Sequence, residues 1–171
     1  MSGTGRQSSL ISTLKSGFSN SLTRIAFNAT ANAYNASQYL NGQCVVFVQH
    51  ARPELAIGWG TATNGPNVAV QKGFHVDDIP LIGSAFVFAA RTHGTGSAGH
   101  TGIVTDVNVQ RVAQNGQISY QYRIESREAN WQSSRSVIPQ GTERITNESR
   151  TFPFPKEAGL SFIWGKDADY N

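Results

Sequence analysis

The chain has 171 residues, 39% hydrophobic and 15% charged, with a formal net charge of +3. This length and balance suit one soluble globular domain with its own core and exclude a fibrous or disordered chain. The single cysteine, Cys44, excludes an internal disulfide framework and any cysteine-rich zinc site.

The positive excess sits early. Arg6, Lys15, Arg24, Arg52 and Lys72 face one acid, Glu54, before residue 77. Such a surface favours an anionic partner. No run of Lys/Arg and no basic–aromatic repeat marks a nucleic-acid groove, so no nucleic-acid partner is expected. No apolar run approaches a membrane span, and the N-terminus lacks the apolar segment of a secretory signal. Neither membrane insertion nor a standard secretory route is expected.

Residues 1–40 read as a polar and helical extension. Leu10, Leu14 and Phe18, then Leu22, Ile25 and Ala26, give weak helical spacing. Asn28–Gln38 is polar and reads as a loop or a poorly packed helix. Residues 41–171 read as one compact domain. Residues 41–53 predict a helix, with Asn41 as N-cap and Pro53 as stop. Cys44, Phe47, Val48 and Ala51 share one face. Cys44 then lies in the first turn, where the helix dipole and unpaired N–H groups favour a thiolate.

Further on, Asn67–Lys72 predicts a short helix ending at Gly73, and His75 reads as a loop residue. Pro80–Gly83 is a turn before a buried strand, Ser84–Ala89. A glycine-rich loop, residues 91–99, leads to a strand from His100 to Val107. Asn115-Gly116 marks a hairpin. The next strand runs from Ile118 to about Asn130. Ile118, Tyr120, Tyr122, Ile124, Ser126, Glu128 and Asn130 share a face, and Glu125 takes the other. Residues 131–150 read as a polar excursion, and Leu160–Trp164 as a last strand. The order is α+β, with helices packed on an antiparallel sheet.

A cysteine hydrolase needs a thiolate, a base and a polar group to hold the imidazole. Cys44, His100 and either Glu128 or Asn130 can supply them; Glu125 is the competing carboxylate. Gln43 is an oxyanion candidate and equally suits helix initiation. Trp59 and Trp131 suit the walls of a cleft or the core. His93 and His100 have no nearby carboxylate or further His in sequence, so no metal is expected. His50 falls late in the Cys44 helix, capping it or facing solvent.

Three segments carry a resemblance. Gly42-Gln43-Cys44, with Arg52-Pro53 and Trp59-Gly60 behind it, resembles the first motif of the CHAP (cysteine, histidine-dependent amidohydrolase/peptidase) family. GHTGIV, residues 99–104, resembles that family's central strand. EANW, residues 128–131, resembles its Glu-x-Asn-aromatic end. Two departures stand out. Ser84 follows Gly83 where the family often has Asp. No Asp precedes Asp77, so the upstream calcium loop of some members is not expected here.

The resemblance implies a papain-like (NlpC/P60-type) fold and a cofactor-free amide hydrolase acting on peptidoglycan. Cys44 would be nucleophile, His100 base and then acid, Glu128 the orienter and Asn130 its support. The enzyme would be an N-acetylmuramoyl-L-alanine amidase or an endopeptidase, and a monomer. It would be made in the cytoplasm and reach the periplasm or cell wall by phage lysis, in a virion or by specialised secretion. A secreted toxin would also imply an inhibitor (immunity) or delivery protein. A cysteine amidase on another substrate and a non-catalytic wall-binding or virion module are the competing readings.

Overall fold

The computed structural model describes residues 20–36, 43–131, 145–154 and 156–166. Three α-helices are present among them: α1 (Asn20–Asn35), α2 (Cys44–Ala51) and α3 (Gly65–Gln71). Six strands follow: β1 (Phe74–Asp77), β2 (Ala85–Phe88), β3 (His100–Gln114), β4 (Gln117–Ala129), β5 (Ile145–Pro153) and β6 (Leu160–Lys166). They form one antiparallel sheet in the order β1-β6-β2-β3-β4-β5. Four consecutive strands therefore make a meander, and β6 inserts between β1 and β2. Helices packed on an antiparallel sheet give the expected α+β layout.

The sheet separates two apolar clusters. On the helical face, Ala29 and Ala33 of α1 and Phe47, Val48 and Ala51 of α2 pack on Ala85, Val87, Ile103 and Ile163. Small residues on α1 let it lie close, so the polar Asn28–Gln38 tract is helical as far as Asn35. The other face holds Phe86, Phe88, Val104, Tyr122, Ile124, Phe152 and Phe162. Phe88 and Phe152 sit three strands apart, about 14 Å across a flat sheet. Their ring centroids are 6.1 Å apart, so the sheet curls and closes this face around its own aromatic side chains.

Local chemistry explains the main turns. Asn115 and Gly116 both take positive φ, 53° and 74°, as a tight two-residue hairpin requires. Ser84 stands where the family often has Asp; its Oγ donates to the Leu81 carbonyl at 2.6 Å and closes the turn before β2. Arg52 is buried just after α2. Its Nη1 and Nη2 donate to the carbonyls of Ile163 and Trp164 at 2.8 and 2.6 Å, tying the helix end to β6. The Arg52-Pro53 pair thus stops the helix and anchors it.

Several expectations are corrected. Helix α2 begins at Cys44 with Gln43 as N-cap residue, and the Gln43 side chain makes no capping bond. Asn41 and the Leu10–Phe18 pattern lie outside the described residues. His75 lies in strand β1, and β3 extends to Gln114. Part of the supposed excursion at 131–150 is β5, an edge strand paired along β4. Its sequence, ITNESRTFP, is polar because only Phe152 is fully buried and the rest is exposed or half-buried, so it carries little apolar alternation.

Candidate active site

Cys44 is the first residue of α2, where the early backbone N–H groups have no partner within the helix. Phe47, Val48 and Ala51, on the predicted face, are buried and press the helix onto the sheet; Cys44 itself is half-buried. His100 opens β3 beside Phe88, its direct partner on β2. The Cys44 thiol is close enough to the imidazole to help raise its pKa. On the other side, His100 Nε2 is 3.1 Å from Glu128 Oε1.

Strand parity puts Glu128 on the inward face of β4, and it lies there. The irregularity in this hairpin falls on β3, between Val104 and Asp106, so β4 keeps its alternation. Tyr122, Ile124, Ser126 and Glu128 all point inward and are buried. Glu125 points outward, where it accepts from Ser149 and pairs with Arg123. Gly102 leaves room for the arrangement: a Cβ there would come within 2.8 Å of Glu128 Cβ and 2.6 Å of the Phe86 ring. Only glycine, with no side chain, admits both neighbours at that point.

Glu128 is 0% exposed, and its carboxylate is fully engaged. Oε1 accepts from His100 and from Arg150 Nη2 at 2.6 Å. Oε2 accepts from Ser126 Oγ and Arg150 Nη1, both at 2.8 Å. Burial alone would push this carboxyl up; the Arg150 bonds first, then His100, outweigh burial and hold it at about 2. An ionised carboxylate only accepts, so His100 Nε2 carries a hydrogen. In the neutral ring, Nδ1 is then the unprotonated nitrogen left for Cys44. Burial alone would push the imidazole down; the bonds to Cys44 and Glu128 outweigh it and raise it from 6.5 to about 8.

Arg150 was not foreseen from sequence. It lies on the polar edge strand β5, opposite Ile124, and nothing in its local pattern distinguishes it. Ser126, on the Glu128 face of β4, donates to Glu128 and accepts from Arg150.

The remaining candidates separate. Trp131 lies at the site, its ring 4.7 Å from His100. Trp59 does not: it is 1% exposed, donates from Nε1 to the Leu55 carbonyl and belongs to the helical-face core. It is therefore not a cleft wall. A Cβ at Gly65 would strike its ring, which shows how closely α3 covers it. Asn130 follows β4 with φ of 62°, which breaks the strand alternation, and no hydrogen bond joins it to His100. Gln43 is exposed directly before Cys44. His50 is exposed in the last turn of α2. His93 stacks on Phe88 at 4.5 Å and donates to the Ala158 carbonyl. A cavity of about 480 Å³, lined by Arg24, Asn28, Asn32, Glu54, Phe74 and Lys166 among others, lies at the far end of α2 from Cys44.

Three comparisons with known proteins bear on this arrangement. No curated protein matches the chain. Among solved structures, the chain is similar to an N-acetylmuramoyl-L-alanine amidase from Staphylococcus aureus, with 25% identity and a TM-score of 0.49. That match covers 77% of this chain and 33% of the other, so the chain spans about a third of that protein. The model of the CHAP domain family matches residues 33–121, which include Cys44 and His100 and stop short of Glu128 and Arg150. Over half of its length matches this model, so the chain belongs to the CHAP domain family.

Proposed function

We propose that the chain hydrolyses an amide bond of bacterial peptidoglycan through a Cys44–His100 pair oriented by Glu128. The observation that carries this reading is His100 itself. It meets a thiol at a helix N-terminus on one side and a buried, ionised carboxylate on the other. A nucleophile, its base and an orienter within hydrogen-bonding reach are what amide cleavage by a thiol requires. Membership of a family of amidohydrolases and peptidases supports the reaction class, and the basic N-terminal half suits an anionic wall polymer.

In this reading Cys44 Sγ attacks the amide carbonyl carbon as His100 holds the thiol proton. The tetrahedral oxyanion lies at the N-terminus of α2, where the Cys44 backbone N–H and the Gln43 side chain are the donors at hand. One such donor is worth roughly 3–4 kcal/mol of transition-state stabilisation. His100 then protonates the leaving amine, the C–N bond breaks and a thioester remains. Water, deprotonated by His100, attacks the thioester. The acid product leaves and Cys44 regains its proton. Trp131 forms a wall beside His100, and Asn130 lies at the strand end nearby.

Digestion of purified Gram-negative peptidoglycan tests the proposal, with wild type beside Cys44→Ala and fragments read by mass spectrometry. Release by the wild type and a loss of at least about a thousandfold in the variant are expected. Fragment masses then name the bond, muramoyl–alanine or peptide. Equal, negligible release by two folded proteins would overturn the wall-hydrolase reading and favour another amide or a binding role.

A further inference from the structure

Glu128 could not hold its position by its bond to His100 alone. A carboxylate with no solvent contact needs partners for both oxygens, and one imidazole N–H supplies a single bond. Ser126, two residues back on the same strand, supplies one bond to Oε2, and the two remaining bonds come from an element remote in sequence. Arg150 spans the carboxylate with two bonds, Nη1 to Oε2 at 2.8 Å and Nη2 to Oε1 at 2.6 Å. This two-pronged contact fixes the plane of the carboxylate as well as its charge. The guanidinium is itself held. Its Cζ lies 5.3 Å from the Phe86 ring, 5.2 Å from Phe88 and 4.8 Å from Trp131. Phe86 and Trp131 also flank His100, at 5.9 and 4.7 Å. Ser126 links the two partners, donating to Glu128 and accepting from Arg150 Nη1 at 3.3 Å.

We propose that Arg150 is a positioning residue of this site, locking Glu128 against His100 and so fixing the imidazole that faces Cys44. This rests on the reading of Cys44 and His100 as the reacting pair. Arg150 touches neither of them in the role assigned here; it acts through Glu128. The curled sheet makes this possible by bringing β5 over the rings of β2. A lysine would carry the charge without the planar fork, so charge and geometry are separable.

Alkylation of the single cysteine by iodoacetamide tests this without any wall substrate. Rates at pH 6, read by intact mass, compare wild type with Arg150→Met, Arg150→Lys, Glu128→Gln and the Glu128→Gln/Arg150→Met double variant, each checked for folding. Arg150→Met and Glu128→Gln are each expected to slow alkylation about tenfold, because each loosens the imidazole that faces the thiol. Arg150→Lys should fall between wild type and Arg150→Met. The double variant should be no slower than Glu128→Gln, because Arg150 has nothing left to position. A wild-type rate in folded Arg150→Met, or a full further drop in the double variant, overturns the proposal and leaves Arg150 as aromatic packing. If Arg150→Met does not fold, Arg150→Lys alone and on the Glu128→Gln background carries the same comparison. A wild-type thiol no more reactive than a free one sinks the Cys44–His100 pairing and this proposal together. Failed wall digestion with the Arg150 coupling intact removes the substrate and leaves the positioning role standing.

Discussion

The two ends of the site are built differently. The Cys44 end is an eight-residue helix, CVVFVQHA, whose inward residues repeat at helical spacing and press it onto the sheet. The Arg150 end is an edge strand, ITNESRTFP, mostly polar and half-exposed, held by its ladder with β4. One end advertises itself through local pattern; the other carries the half-buried partner of a buried carboxylate on a segment with almost no pattern. Apolar periodicity reports which face is buried, and it says nothing about a charge that becomes buried only when a sheet curls over it.

Breaking the carboxylate end is expected to have the largest effect on stability. Glu128→Ala leaves the Arg150 guanidinium among Phe86, Phe88 and Trp131 without its counter-ion. A loss of about 3–5 kcal/mol is expected from urea unfolding, since removing one partner strands the other. An unchanged midpoint would mean that Arg150 finds solvent instead, and that the two ends are not mechanically joined.

The middle of the site gives a smaller, pH-dependent effect. The raised His100 value, from 6.5 to about 8, means that the folded protein binds this proton more tightly than the unfolded chain. Its contribution, about 2 kcal/mol for a buried group, is fully present below pH 6.5 and is lost as pH rises through 8. Glu128 works the other way. Its lowered value, from 4.5 to about 2, stabilises above pH 4.5, and that stability is lost as pH falls towards 2. Unfolding of wild type against His100→Gln from pH 5 to 9 should show the gap closing on the alkaline side. A gap constant across that range would contradict the hydrogen-bonded cluster.

The smallest effect sharpens the boundary between site and core. Trp59→Phe removes the 2.7 Å bond to the Leu55 carbonyl and should cost about 1 kcal/mol of stability. Turnover on peptidoglycan should not change, because the ring faces the helical core. A fall in turnover without loss of stability would return Trp59 to the cleft.

Much of the site was legible before any coordinates. Alternation along β4 put Glu128 on the buried face and Glu125 outside it, and it held because the bulge fell on the neighbouring strand. Alternation failed one step later, at Asn130, where positive φ turns the chain out of the strand. Trp59 and Trp131 looked equivalent in sequence. One is enclosed by α3 and bonded to Leu55, and the other lies against His100.

The α+β order, the helix that presents Cys44, the strand that begins at His100 and the face on which Glu128 lies are all legible in the chain's local pattern. These follow from local spacing, the tight Asn115-Gly116 turn and the motifs that mark the CHAP family. That β5 is an edge strand, that β6 inserts beside β2 and that Arg150 closes over Glu128 emerge only from long-range packing. Those features depend on sheet curl and on pairing between distant segments, and their energy comes from burial, which no local pattern in a polar segment records.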